Sequence, residues 1–314
     1  MGACLGCMLW GKAGGRMSKE VGGAASARAW LGLGIGVAAA FMFALSVSLA
    51  REVYAAGGTP QAIIGVRLTL VFFGLLAFAL LFRRPMRLEP KPRTIACALG
   101  VLLCFQTLSI YASFLYIPIS LSILIEYLYP LLVALLMWVV AREPLTPVKL
   151  GAIAVALLGL ALILRVSWGT LDPFGMGLAV FSAVALSFMI VTTNQVLKGA
   201  DSLRLMLHMQ PCGAAVGLLT FHLTDTFVLP TTEWGLICLI GIAVLNGSAL
   251  FSMFSALPMT GPTRTALALT AEPIFVVGLA AALHGESLTL IQGVGGALIV
   301  GAIFAMQIWG TRRR

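Results

Sequence analysis

One short arrangement of residues occurs twice in this chain. Within 120–159 an apolar stretch carries Pro130, reaches a turn holding Glu143, Leu145 and Thr146, and re-enters an apolar stretch. Within 265–301 the same order returns with Pro273, then Glu286, Leu288 and Thr289. Pro130 and Pro273 stand 143 residues apart, and so do Glu143 and Glu286. A single offset shared by two landmarks, close to half of 314 residues, argues for duplication of a whole unit. Such a repeat restricts the fold more than any local propensity does.

The solvent of this unit is lipid. Hydrophobic residues make up 60% of the chain and charged ones 10%, with a mean hydropathy of +1.04; a water-soluble domain carries about a quarter charged residues. Apolar runs follow one another over 30–50, 62–82, 94–114, 119–140, 148–165, 174–197, 203–223, 234–256, 263–284 and 288–309. Most approach the ~20 residues that cross a ~30 Å hydrocarbon core. The expectation is an all-α polytopic membrane protein of ten transmembrane helices, five in 30–165 and five in 174–309. Residues 1–29 are read as a disordered cytoplasmic tail, with Met17 an alternative start, and 310–314 as a basic cytoplasmic tail.

Five crossings per unit is an odd number, so the second unit enters the membrane from the other side. That makes the halves inverted repeats about an axis in the membrane plane, an architecture of secondary transporters. Lysines and arginines agree. With the amino end inside, seventeen fall in inner segments, only Arg51 and Arg165 fall outside, and Arg67 lies within a run. The positive-inside rule then puts both termini in the cytoplasm of a plasma (inner) membrane. The net charge of +9 is accounted for in this way and calls for no nucleic acid.

Cys97, Cys104, Cys212 and Cys238 lie in apolar runs, where cysteine behaves as a small hydrophobe. Cys4 and Cys7 form one isolated C-x-x-C, so neither a disulfide framework nor a metal site is expected. Residue 6 is Gly, which breaks the myristoylation pattern. There is no zincin, nucleophile-elbow or Walker sequence, and Asp172, Asp201 and Asp225 fall in loops. The chain reads as neither an enzyme nor an ATP-driven pump, with no cofactor.

Charges at membrane depth are costly and normally face a cavity or a partner. Arg67 and Glu126 both fall about 8–10 Å below the outer face at 1.5 Å per residue. They either lock two helices as a salt bridge or present a guanidinium to a carboxylate and a carboxylate to an amine or proton. Glu272 nears the midplane, where it is a proton-coupling candidate together with Glu126, or a helix-packing group. Polar stripes sit at helical spacing: Ser122, Glu126 and Tyr129; Cys104, Thr107 and Tyr111; Ser248, Ser252 and Ser255. The serines often bond only their own helix. Tyr111, Tyr129 and Asn246 are stronger substrate-binding candidates, as is Gln210, which stands 143 residues after Arg67. His208 reads as a packing group. Gly32 with Gly36, and Gly213 with Gly217, read as close helix packing, although a homodimer stays open. Glu143 and Glu286 are expected to cap the helices that follow them.

The doubled order of proline helix, Glu-x-Leu-Thr turn and Gly/Ala-rich helix resembles the EamA domain of the drug/metabolite transporter superfamily. Glu143-Pro144-Leu145-Thr146 and Gly285-Glu286-Ser287-Leu288-Thr289 carry the likeness, with Glu272-Pro273 in the second copy against Tyr129-Pro130 in the first. The resemblance spans about 30–309 and implies a ten-helix carrier of small organic metabolites, its cavity built largely from helices 3, 4, 8 and 9. The expected function is a secondary transporter, exporting an amino acid or organic acid by alternating access with a coupling proton. An uncoupled facilitator or exchanger is the alternative, and a non-transporting scaffold is a more distant one.

Overall fold

The computed structural model describes the backbone of residues 5–165, 171–223, 225–284 and 289–312, with side chains within 27–165, 171–223, 225–282 and 289–309. Glu286 and Leu288 lie outside these residues. The first half consists of α1 (Leu5–Ala55), α2 (Pro60–Leu81), α3 (Pro90–Ser113), α4 (Ile119–Glu126), α5 (Tyr129–Ala141) and α6 (Pro147–Leu164). The second consists of α7 (Pro173–Val196), α8 (Ser202–Leu223), α9 (Glu233–Thr260), α10 (Pro262–Leu269), α11 (Glu272–His284) and α12 (Leu290–Arg312). α1 extends back to Leu5, so helical backbone covers residues that composition assigns to a disordered tail.

Among the described residues nine helical spans are long and apolar enough to cross a membrane, counting α4 with α5 and α10 with α11 as one span each. The remaining run is α8, whose 22 residues match a bilayer in length but include Arg204, His208 and Gln210. Those polar groups are internally bonded or buried. Arg204 pairs with Asp201 at 3.1 Å, and the His208 ring meets the Arg204 carbonyl at 2.9 Å, which is a packing role. Gln210 is 2% exposed.

The 143-residue offset holds at the level of backbone. Moved by 143, α4 covers 262–269 and α5 covers 272–284, the bounds of α10 and α11. α3 and α6 map onto the first residues of α9 and α12 in the same way. Spans four and nine are thus broken at equivalent places, Tyr127–Leu128 and Thr270–Ala271. The cause is local. Pro130 and Pro273 have no N–H to give the carbonyl one turn back. The neighbouring bonds shorten their reach to three residues, Leu128 N–H to Ile125 O and Ala271 N–H to Ala268 O, both within 3.2 Å.

Packing crosses between the halves. α3 lies against α7 and α8, and its counterpart α9 lies against α1 and α2, as a two-fold exchange of the halves requires. α6 and α12 meet on that axis through Gly159 and Gly295. A Cβ on either glycine would stand 2.5 Å from the other's carbonyl oxygen, so only glycine lets the backbones approach so closely. The α3–α8 contact uses Gly100 and Gly213 similarly.

A substitution at this axis should therefore be costly. Gly159→Val is expected to destabilise the protein by about 1–3 kcal/mol through overpacking. Gly151→Val on the same helix, where an added Cβ meets nothing within 4 Å, should change little. Thermal unfolding of the two variants in one detergent measures the difference.

Candidate functional site

A cavity of about 700 Å³ opens between the halves, a size suited to a small organic molecule. Its wall runs from Arg51, Tyr54 and Leu115, near the face opposite both chain ends, down to Gln210, Leu250 and Met253 at mid-depth. Most of the lining is apolar. α1, α2, α3, α4, α9 and α11 contribute most of it, a wider set than the four helices that the family resemblance implies.

The floor is shut. α5 packs on α10, and the Tyr129 hydroxyl donates to the Ala266 carbonyl at 3.0 Å. Ser187 on α7 ties in from the side, donating to the Tyr129 carbonyl at 3.2 Å. The repeat-related pair, α4 with α11, makes no comparable contact, and both helices line the cavity. The molecule is therefore closed toward its chain ends and open on the opposite face.

All seven residues singled out for substrate or proton line this one cavity: Arg67, Tyr111, Glu126, Tyr129, Gln210, Asn246 and Glu272. No ion pair joins Arg67 to Glu126. The Arg67 guanidinium donates to Asn246 Oδ1 at 3.2 Å and Thr107 Oγ1 at 3.4 Å, both neutral. Asn246 Nδ2 donates in turn to Ser46 Oγ at 2.6 Å. From Thr107 the chain of contacts passes to Gln106 Oε1 at 3.2 Å. Glu126 Oε1 accepts from Gln106 Nε2 at 2.8 Å and from Ser182 Oγ at 2.7 Å. A belt of hydrogen bonds thus links α1, α9, α2, α3, α4 and α7 around the cavity, with a cation at one place and a carboxyl at another.

Glu272 sits apart, on the first turn of α11 immediately after the break. It accepts from the Tyr127 hydroxyl at 3.1 Å, across from α4. Tyr127 and Tyr129 lie ring to ring at 5.7 Å on either side of the other break. Gln210 keeps a buried side-chain oxygen without a hydrogen-bond partner.

Two readings of the sequence need correction, those of Ser122 and of Glu143. Of Ser122, Glu126 and Tyr129, read as one face at i, i+4, i+7, Glu126 and Tyr129 line the cavity, whereas Ser122 is fully buried outside its lining. Ser248, Ser252 and Ser255 stay off the cavity wall, in line with the reading that such serines serve helix packing: Ser255 donates to the Phe251 carbonyl of its own helix at 2.8 Å and meets Ser202 Oγ at 3.3 Å. Glu143 pairs with Lys149 at 2.9 Å, while the cap of α6 is Thr146, whose hydroxyl accepts from Lys149 N at 3.3 Å. Thr289 accepts from Gln292 N at 3.4 Å in the second copy.

Sequence reasoning missed Gln106, Ser182, Ser46 and Tyr127. Gln106 was visible as an uncharged polar residue deep in an apolar run. Ser182 and Ser46 had no such mark, since serine is common in membrane helices. Tyr127 was hidden because it falls outside the i, i+4, i+7 face of Ser122, Glu126 and Tyr129.

A family model described as "EamA-like transporter family" matches residues 30–165 and 173–307, the two helix sets. No curated protein matches the sequence. A solved structure described only as "Crystal structure of protein" superposes with a TM-score of 0.76 at 19% identity, over 90% of this chain and 98% of its own length. At that identity it shows a shared fold.

The belt predicts a measurable coupling. Gln106→Ala leaves Glu126 with Ser182 alone, and the loss should be about 1–3 kcal/mol. In Glu126→Leu the same alanine substitution should cost much less, because the group it serves is gone. A double-mutant cycle by thermal or denaturant unfolding reads the coupling.

Proposed function

We propose that this chain, which belongs to the EamA-like transporter family, is a secondary transporter of a small zwitterionic metabolite with an apolar side chain, an amino acid or a close relative. The family makes it a membrane transporter of small molecules; the solute class is our inference. One observation carries it. In a mostly apolar cavity, Arg67 is held by two neutral oxygens and is in direct contact with no carboxylate among the described residues. A guanidinium has five N–H donors in a flat fork that matches a carboxylate. Arg67 uses two, and the others find no acceptor among the described residues. A solute carboxylate fits there, and its ammonium has Glu126, Glu272 and the orphan oxygen of Gln210 on the other walls. The apolar lining suits a hydrocarbon or aromatic side chain.

Transport follows by alternating access. The state described here admits solute from the face opposite the chain ends, which the excess of lysine and arginine assigns to the outside of a plasma (inner) membrane. The two broken spans provide the moving parts, as discontinuous helices do in carriers of inverted-repeat design. Export then requires the opposite state, with the α5–α10 floor parted.

Uptake and efflux of labelled amino acids and organic acids in liposomes test this, with and without a pH gradient. Arg67→Gln should lose about 10–100-fold in apparent affinity for carboxylate-bearing solutes, since a hydrogen bond to a charged group contributes about 1.5–3 kcal/mol. Solutes without a carboxylate should be little affected. Glu126→Gln should weaken amine-bearing solutes selectively. If Arg67→Gln, Glu126→Gln and Glu272→Gln all transport as the parent does, the site is misassigned. Transport indifferent to the pH gradient would favour an uncoupled facilitator or exchanger.

A further inference from the structure

The two broken spans are equivalent in backbone but carry different gate residues. On the closed side, Tyr129 at the head of α5 donates its hydroxyl to the Ala266 carbonyl of α10. Adding 143 to Tyr129 gives Glu272, at the head of α11. Subtracting 143 from Ala266 gives Ile123, on α4. In the exchanged state, where the halves swap conformations, the contact equivalent to Tyr129–Ala266 is Glu272–Ile123. Both of these residues line the cavity on the open side.

Chemistry separates the two gates. A carbonyl oxygen only accepts a hydrogen bond. Tyrosine supplies a donor at any physiological pH, whereas a carboxyl group supplies one only when protonated. Ionised Glu272 would bring two acceptors together with no hydrogen between them. The geometry points to Glu272 as a proton-operated latch: the open face closes when the protonated Glu272 carboxyl donates to the Ile123 carbonyl. This rests on the transporter reading above and supplies its coupling site.

The backbone beside the breaks carries the same asymmetry. On the closed side Thr270 N–H reaches back three residues to Leu267 O, so the Ala266 carbonyl does not receive the helical bond and is taken by Tyr129. On the open side Tyr127 N–H still reaches back four residues to Ile123 O at 2.9 Å. Closure therefore moves the Tyr127 N–H to the Leu124 carbonyl and releases Ile123 O for the latch. It also withdraws Glu272 from the Tyr127 hydroxyl, its present donor.

The groups that face Glu272 leave it free to act this way. Tyr127 is in hydrogen-bond contact, while Glu126, Tyr129 and Tyr111 are within electrostatic reach. α1 and α6, packed on α11, hold no titratable residue in 30–50 or 150–164; among the residues whose side chains are described, theirs are Arg51, Glu52 and Tyr54 at one end of α1, Arg28 nearer the other, and Lys149 and Arg165 at the ends of α6. Among the described residues no salt bridge joins a cation to Glu272. Tyr127 serves the ionised form and Ile123 O the protonated one.

The test measures the gate without any solute. Spin labels at Ile119→Cys and Ala282→Cys, in full-length protein with its native cysteines replaced and reconstituted in nanodiscs, report the α4–α11 separation. Acidifying from about pH 8 to about pH 5 should raise the short-distance population several-fold in the parent. Glu272→Gln and Glu272→Tyr carry a permanent donor and should favour the short distance at both pH values. Glu272→Met carries none and should keep the long distance at both, while Glu126→Gln should retain the pH response. A parent insensitive to pH overturns the latch, as does identical behaviour of Glu272→Gln and Glu272→Met, or loss of the response in Glu126→Gln alone. Failure of the transport reading is a separate result: no solute moves in liposomes while the labelled gate still answers to pH.

Discussion

Within the hydrocarbon of a bilayer no water stands ready to receive a stranded backbone group, and each unsatisfied one costs several kcal/mol. That constraint makes proline the most consequential residue type in this chain. Pro130 and Pro273 each remove one donor from the middle of a span, and the helix stops and restarts there. The arrangement is stable only if the freed groups face protein or a wet cavity. The breaks and the cavity therefore require each other: α4, Tyr127, Glu272 and Pro273 all line it. Duplication set two such breaks opposite one another, and the space between the halves followed.

What the duplication preserved and what it let drift separate fold from function. The helix bounds, the two prolines and the capping threonines Thr146 and Thr289 recur at or near the offset of 143. The polar belt does not. The counterparts of Glu126, Gln106, Thr107, Asn246 and Ser182 are Leu269, Ala249, Leu250, Leu103 and Ala39. A fold with near two-fold backbone symmetry thus carries an electrostatic pattern with none. A solute with distinct ends requires that of its site, while alternation between two equivalent backbone states requires the symmetry.

The same distinction explains which features were legible in the sequence. Hydropathy and the repeat disclosed the spans and their pairing across halves, while the breaks in two of them were not read from it. Rare charges in apolar runs located the cavity residues, because Arg67, Glu126 and Glu272 have few other places to go. Contacts between helices were hidden. The path from Arg67 to Glu126 through Thr107 and Gln106 depends on the rotation of α3 about its axis, and no period in the sequence records that rotation. The rotation of α4, which puts Tyr127 on the cavity wall and leaves Ser122 buried outside its lining, was hidden in the same way.

The spacing between Arg67 and Glu126 is itself an argument about mechanism. Two opposite charges in a low-dielectric cavity attract strongly, and a direct pair would have satisfied both without a solute. The chain instead inserts two neutral residues, Thr107 and Gln106, that hold each charge in place by hydrogen bonds and keep them apart. An isolated charge at the bilayer centre costs about 2.5–3.5 kcal/mol on insertion scales. The belt offsets part of that cost and leaves donor capacity on Arg67 unused. On the proposed reading, a solute that brings its own carboxylate completes the shell, so binding gains energy that a preformed ion pair would already have taken.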